Sequence, residues 1–375
     1  TISSAIQAQY LRNGVASVIS TPSAMVSALT ACLNASVDIT LVCGKSLSVG
    51  GVNRASKKLI TAGGKANNVA LTLHRCLGVR TVATGLYGGE SGRTMLEMLK
   101  AGGVKCDFVE SQSTVSRTCY ILVTEDEGQT VVNEYGAEFA VEEQRAFFQR
   151  FQELTKQHTA LALSGSMAPG FTDDSYADML EASLTDSSCA LRYILLDFHS
   201  EPLRAVGRRL RDVRWSTSTS CDTQVYLKIN MDETRATFAE LPGNAATTAV
   251  VELGLKVLKE YCLDGFLITD GGGPSFCFGY PASHHPHSVE ECQRAQPFAY
   301  VLTPPPIRLV NATASGDCSG AGILDHLLSG GDWLEACCRG MACGAANAEM
   351  LEPYAFSKAR VQELLHAITK RSIGS

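Results

Sequence analysis

Short apolar runs alternating with stretches of helical period constrain this chain more than any other feature. Ala28–Leu33, Thr81–Gly85, Leu161–Ser164, Tyr193–Asp197, Val225–Ile229 and Gly265–Thr269 are too short for helices and almost wholly apolar, as strands buried on both faces read. Between them, Asn67–Leu77 places Val69, Ala70, Leu73 and Leu77 at helical spacing, and Gly92–Lys100 is stopped by Ala-Gly-Gly. Ala321–Leu328, Trp333–Ala348 and Ser357–Thr369 also read as helices. This alternation predicts an α/β protein with a mostly parallel central sheet and helices on both faces. Two segments break it. Ile39–Thr61 and Ser116–Glu138 alternate polar and apolar residues around Gly, Asn and Glu turns, which predicts a separate small β-sheet over the mouth of the first. A sheet so placed can close on a ligand and exclude water. The expected organisation is an N-terminal extension at 1–28, a core from 29–38, 62–115 and 139–375, and a lid from 39–61 and 116–138.

With 375 residues and 45% hydrophobic content the chain can bury a substantial core. Its formal net charge of -6 argues against a nucleic-acid or membrane surface, so an anionic ligand needs a local basic pocket. No apolar run is long enough to span a bilayer. The 14 cysteines are scattered apart from Cys337-Cys338, and no C-x-x-C occurs, which fits buried thiols in a reducing compartment better than disulfides or zinc. The first 37 residues hold no acid and one base, Arg12. A cytoplasmic enzyme with a divergent extension and a processed organellar one are both open. Phe278–Pro306 reads as a loop insertion, and its His284-His285-Pro286-His287 run, interrupted by Pro and without a Cys partner, reads as solvated loop before metal site.

The strongest chemical signal is Asn311-Ala312-Thr313-Ala314-Ser315-Gly316-Asp317. A strand-like run, Arg308–Val310, enters a turn of small residues and a helix leaves it. Small residues let main chain approach a ligand, and free N–H groups at a helix start favour a phosphate. Asp317 there is either a base for an attacking hydroxyl or a helix cap. A second glycine turn, Gly63-Gly64-Lys65-Ala66-Asn67-Asn68, opens another helix with a cation and amides, which suits a polyhydroxylated or phosphorylated ligand. It is not a Walker loop. Gly44-Lys45-Ser46 fails that pattern as well, with Ile39 where a Gly is needed. No G-x-G-x-x-G follows a strand, so a dinucleotide site has little support.

Taken in order, these motifs resemble the PfkB-type (ribokinase-like) sugar kinases across nearly all of Leu29–Ile368. The branch most resembled contains 1-phosphofructokinase and tagatose-6-phosphate kinase. The resemblance is carried by Asn34–Asp38, Gly50-Gly51-Val52-Asn53-Arg54, Gly63–Ala70, Ser164–Gly170, Asp197–Leu203, Lys228–Glu233, the Ala314–Asp317 turn and Gly344–Glu349. It implies a three-layer α/β/α fold with a β lid, MgATP as donor and a sugar phosphate as acceptor, with a monovalent cation as an open further requirement. It further implies that Asp38, Gly64 and Asn68 hold sugar hydroxyls and that Arg54, Lys65 and Arg117 face the acceptor's phosphate. Asn230 and Glu233 would organise magnesium through water. Lys228, Thr269 and Gly271 would lie by the nucleotide, and Asn347 by its adenine. Ala314, Ser315 and Gly316 would form the anion hole, with Asp317 the base. Lids of this kind suggest a homodimer.

The pattern departs at Ala314, Ala66 and Pro274, each standing where the family has Gly, and at Ala35, where it has Pro. If Ala314 needs positive φ, it costs about 1 kcal/mol. These departures keep two alternatives open: a kinase-derived structural or regulatory subunit, and a kinase for an unphosphorylated sugar or nucleoside.

Overall fold

The computed structural model describes residues 27–126, 128–215, 222–243, 245–281, 291 and 294–373. Of the expected extension only Ser27 and Ala28 are described, and the His284–His287 run lies outside the described residues.

Strands β1 (Ala28–Cys32), β4 (Thr81–Gly88), β5 (Lys105–Ser111), β8 (Ala160–Ser164), β9 (Tyr193–Asp197), β10 (Gln224–Asn230) and β11 (Gly265–Thr269) run parallel, in the order β5-β4-β1-β8-β9-β10-β11. The sheet continues antiparallel through β12 (Ser275–Gly279), β13 (Phe298–Thr303) and β14 (Thr369–Ser372). Successive strand residues feed opposite cores: Leu29, Leu161, Leu163 and Ile194 face one, and Ala28, Ala160, Ala162 and Leu195 the other. The first core is covered by α3 (Val141–Thr155), α4 (Ser175–Thr185), α5 (Glu201–Trp215) and α7 (Thr247–Glu260). The second is covered by α1 (Lys65–Leu71), α2 (Gly89–Ala101), α8 (Ser315–Leu328), α9 (Trp333–Ala348) and α10 (Lys358–His366). The short α6 (Met231–Thr237) follows β10 directly. The expected three-layer α/β/α architecture is present. Among the described residues no helix is long and apolar enough to cross a membrane.

The lid is a four-stranded sheet in the order β3-β2-β6-β7, built from β2 (Ser36–Val42), β3 (Lys57–Gly63), β6 (Arg117–Thr124) and β7 (Gly128–Asn133). β2 and β6 pair in parallel, bringing the two distant segments together, and each carries its sequence neighbour antiparallel.

Two expectations are corrected. Arg308–Val310 is not a strand: Pro304-Pro305-Pro306 removes three N–H donors, β13 stops at Thr303, and Leu309 and Val310 are exposed. Main-chain bonds from Val310 and Asn311 to Ala348 O pin the segment to the end of α9 instead. Phe278–Pro306 is not simply a loop, because its ends complete β12 and form β13, with Gly279 opposite Phe298.

Candidate active site

Open α/β sheets bind ligands at the carboxyl ends of their strands, where the strand order reverses. Here β1 leads to β4 on one side and lies beside β8 on the other, so the reversal falls between β1 and β8. Asn34 follows β1, and Ser164, Asp197, Asn230 and Thr269 close β8 to β11 along the same edge.

The turn before α8 is set by its own main chain. Thr313 N donates to Asn311 Oδ1 (3.0 Å), Ser315 N to Ala312 O (3.1 Å), and Ala314 takes φ 61, ψ 7 as the residue before the helix. Asn347 holds this turn from beneath. Its Nδ2 donates to Thr313 O (2.8 Å) and Ser315 Oγ (3.1 Å), and its Oδ1 accepts from Tyr354 N (3.0 Å). Asn347 is 0% exposed, and its three hydrogen bonds position the turn before α8.

Asp317 does not cap α8. Its Oδ2 accepts a 2.7 Å hydrogen bond from Asn68 Nδ2, one turn into α1. Gly64 precedes that helix at φ 99, ψ 126, and a Cβ there would lie 2.5 Å from Cys32 Sγ, so both backbone and space demand glycine. The two glycine-type turns therefore converge through one amide–carboxylate contact.

Behind Asp317 lies a chain of charges. Lys65 Nζ bonds Asp197 Oδ1 (3.0 Å) and Glu233 Oε1 (2.7 Å), while Lys228 Nζ bonds Asp197 Oδ2 (2.6 Å). Lys228 also lies against the start of α8: a Cβ on Gly316 would come within 3.2 Å of its Nζ. Two ammoniums face three carboxylates, so the group carries one surplus negative charge when Asp317 is ionised. Burial, aided by Asp197, raises the Asp317 carboxyl to about 7 despite the opposing pull of Lys65, Asn68 and Lys228. Burial alone would lift Asp197 too, but its two lysines hold it below the usual carboxylate range. Burial pulls Lys65 down, and Asp197, Glu233 and Asp317 outweigh it and keep the ammonium charged.

Two cavities adjoin this region, one lined by Lys65 and Glu233 and the other by Ser315 and Gly316. The smaller, about 550 Å³, is lined by Asn34, Lys65, Arg117, Ser164 to Pro169, His199 and Glu233 among others. The larger, about 810 Å³, has Ser315 and Gly316 at one end, an apolar wall from Pro304–Ile307 and Met341, and Thr269 and Gly271 at the rim. Arg117 donates to Asn34 O (3.3 Å) and Glu134 O (3.2 Å), and its buried Nε has no partner. Asp38 lies two residues along the adjacent lid strand, half-buried, accepting from Ser36 Oγ (2.7 Å). Burial raises its pKa, with Arg117 opposing. Arg54 sits on the exposed loop between β2 and β3 and lines neither cavity.

Asn230 and Glu233 form a reciprocal cap on α6: Glu233 N donates to Asn230 Oδ1 (2.8 Å) and Asn230 N to Glu233 Oε2 (2.9 Å). With Oε1 taken by Lys65, both carboxylate oxygens are engaged. Among the described residues no group of three His, Cys, Asp or Glu could hold a metal ion. The pair fits an ion that keeps its waters and arrives with a phosphate ligand, and does not fit one coordinated directly by the protein. Asp197 is the member of the site that pattern reading left without a role. The signal was present, an acid ending a buried strand beside a strand carrying a buried Lys.

The model of the pfkB family carbohydrate kinases matches residues 31–358. Similar solved structures include Phosphofructokinase-2 from Escherichia coli in complex with substrates and products, 18% identical with a TM-score of 0.74, covering 91% of this chain and 99% of that one. The same protein in complex with fructose-6-phosphate is 19% identical with a TM-score of 0.73, over 91% and 99% of the two chains. A protein described as a possible 1-phosphofructokinase from Thermotoga maritima is 17% identical with a TM-score of 0.74, over 93% and 100%. At these identities the structures speak for the fold, and the family match spans most of the sequence. A turn of small residues opening a helix, a buried carboxylate just inside it and two nearby cavities are thus found in a chain that belongs to the pfkB family of carbohydrate kinases.

Proposed function

We propose that this kinase moves the γ-phosphoryl group of MgATP onto a hydroxyl of a sugar phosphate, in the manner of 1-phosphofructokinase or tagatose-6-phosphate kinase. The observation that carries the reading is Asp317, a buried carboxylate that lines neither cavity itself but follows Ser315 and Gly316 of the larger one and is bonded to Asn68 of the helix whose Lys65 lines the smaller one with Arg117. The acceptor hydroxyl gives its proton to Asp317 as it attacks. The amides of the Ala314–Asp317 turn and the nearby Lys228 stabilise the charge on the transferring group. Asn230 and Glu233 would hold magnesium through water, and the ion would supply charge neutralisation at the phosphates. Arg117 is the phosphate contact on the acceptor side, since it lines the smaller cavity, donates to the main-chain carbonyls of Asn34 and Glu134 and leaves its Nε without a partner. Lys65, drawn inward by Asp197 and Glu233, balances charge around the base. The edge strand β7, exposed along its whole length, supports pairing of two lids into a homodimer.

The test is a phosphotransfer panel with fructose 1-phosphate, fructose 6-phosphate, tagatose 6-phosphate, ribose and nucleosides. Turnover confined to a phosphorylated ketose is expected, and Arg117→Ala should raise its KM at least about tenfold while leaving the KM for ATP within about twofold. Turnover of unphosphorylated acceptors alone would overturn the reading.

A further inference from the structure

Native proteins leave few buried polar side-chain atoms without a partner, because each one costs stability unless a ligand or water completes it. Two serines here carry a buried, unpartnered hydroxyl, and each of the two residues lines a cavity. Ser319 lies one turn into α8, is 4% exposed, and lines the larger cavity beside Met341, Gly344 and Ala345. A serine inside a helix usually returns its hydroxyl to the carbonyl four residues back. Ser319 Oγ does not do so. Gly340 of α9 leaves the room this hydroxyl needs, for a Cβ there would press within 3.0 Å of it. Ser164 ends β8, is 2% exposed, and lines the smaller cavity. Its main-chain neighbour Gly165 N donates to Asp197 O (2.9 Å), which fixes the strand end while the hydroxyl bonds nothing.

We infer that Ser319 is a contact to the nucleoside part of the phosphoryl donor and Ser164 a contact to the acceptor sugar, one on each side of Asp317. This rests on the assignment of donor and acceptor cavities made above. Ser319 is given the nucleoside because the wall around it is apolar, whereas the anion turn begins a full helical turn earlier, at Ser315. A hydroxyl kept for a ligand leaves a signature opposite to that of a structural one. Its removal relieves an unmet burial in the free protein and weakens binding at one cavity only.

The experiment uses the full chain with Ser319→Ala and Ser164→Ala. Melting temperature without ligand, calorimetric affinity for ATP and for inorganic tripolyphosphate, and the KM for the best sugar phosphate are measured. Ser319→Ala should melt at or above the wild type, bind ATP about fivefold more weakly, bind tripolyphosphate equally well, and keep its acceptor KM. Ser164→Ala should melt at or above the wild type, raise the acceptor KM about fivefold and leave ATP affinity alone. A fall in melting temperature would assign the hydroxyl a structural role and overturn its half of the inference, as would an unchanged affinity at its own cavity. If the wild type phosphorylates no sugar phosphate, the proposed function fails on its own account. The ATP and tripolyphosphate arms then still decide Ser319, and an unchanged calorimetric affinity of Ser164→Ala for every acceptor that does turn over rejects Ser164.

Discussion

Two helices begin at the cleft, α1 at Lys65 and α8 at Ser315, and each is preceded by a residue with positive φ. Before α1 that residue is Gly64, at φ 99 and ψ 126, outside any region an L side chain occupies comfortably, with Cys32 Sγ blocking the place of a Cβ. Before α8 it is Ala314, at φ 61 and ψ 7, squarely in the left-handed region that a methyl group tolerates at modest cost. One turn cannot be anything but glycine, whereas the other only prefers it. The family departure at Ala314 therefore falls where the backbone can absorb it. The rest of the α8 turn is held from outside by Asn347, which fixes the amides without help from residue 314.

The largest expected effect separates the two helices by role. Asp317→Asn on α8 should lower kcat by about a thousandfold while ATP affinity stays within about twofold, read by steady-state kinetics and calorimetry. Retained turnover would remove Asp317 from the base role. In the wild type, kcat/KM should fall as pH drops through about 7, where the carboxyl takes up its proton. The linkage to stability has the same origin. The folded pKa lies above the ordinary 3.8, so the contribution of this group is full below about pH 4 and is lost as pH rises through about 7. Asp317→Asn should accordingly raise the melting temperature at about pH 8, and the gain should vanish toward about pH 4.

Next in size is Gly64→Ala, expected to cost about 3 kcal/mol of stability from backbone strain and overpacking together. Urea unfolding checks it, and a loss below about 1 kcal/mol would erase the contrast between the two turns. The link between them comes third. Asn68→Ala removes the donor to Asp317 and should lower kcat about tenfold and move the kcat/KM midpoint upward, because that hydrogen bond favours the ionised carboxylate. An unmoved midpoint would mean that the contact does not set the base.

Much of this contrast was legible in the sequence, and the part that was not has definite physical causes. Buried parallel strands announce themselves as short apolar runs, so β9 and β11 fall where the pattern puts them, as does α9. The lid was readable from its period of two, though its parallel β2–β6 pairing joins segments far apart in sequence. Arg308–Val310 misled because three preceding prolines decide against a strand more firmly than Val and Leu decide for one. At the site, motif order singled out Asp317, Lys65, Asn68, Glu233 and Lys228, and the structure links Asn68 to Asp317 and the two lysines to Asp197, with Lys65 also on Glu233. Asp197 was marked only by its place at the end of a buried strand, and its second lysine, Lys65 from a distant helix, could not be read from sequence because a buried ion pair is a property of packing. Asn347 illustrates the converse. Its place in an intact motif pointed to the nucleotide, yet its amide is spent on Thr313 and Ser315.

The smallest effect is the most discriminating test of the comparison itself. Ala314→Gly relieves a left-handed alanine, a gain of about 1 kcal/mol, and returns part of it as extra freedom in the unfolded chain. The net should be a stabilisation of about half a kcal/mol, visible as a rise of about 1 °C in melting temperature. If Asn347 already sets the amides of the turn, kcat should stay within about twofold of the wild type, because the backbone donors do not move when the methyl is lost. A tenfold rise in kcat would say that the methyl had been tilting those donors away from the phosphoryl group. The two helix starts would then differ in catalytic competence as well as in tolerance, and the chain would be a kinase weakened at one residue.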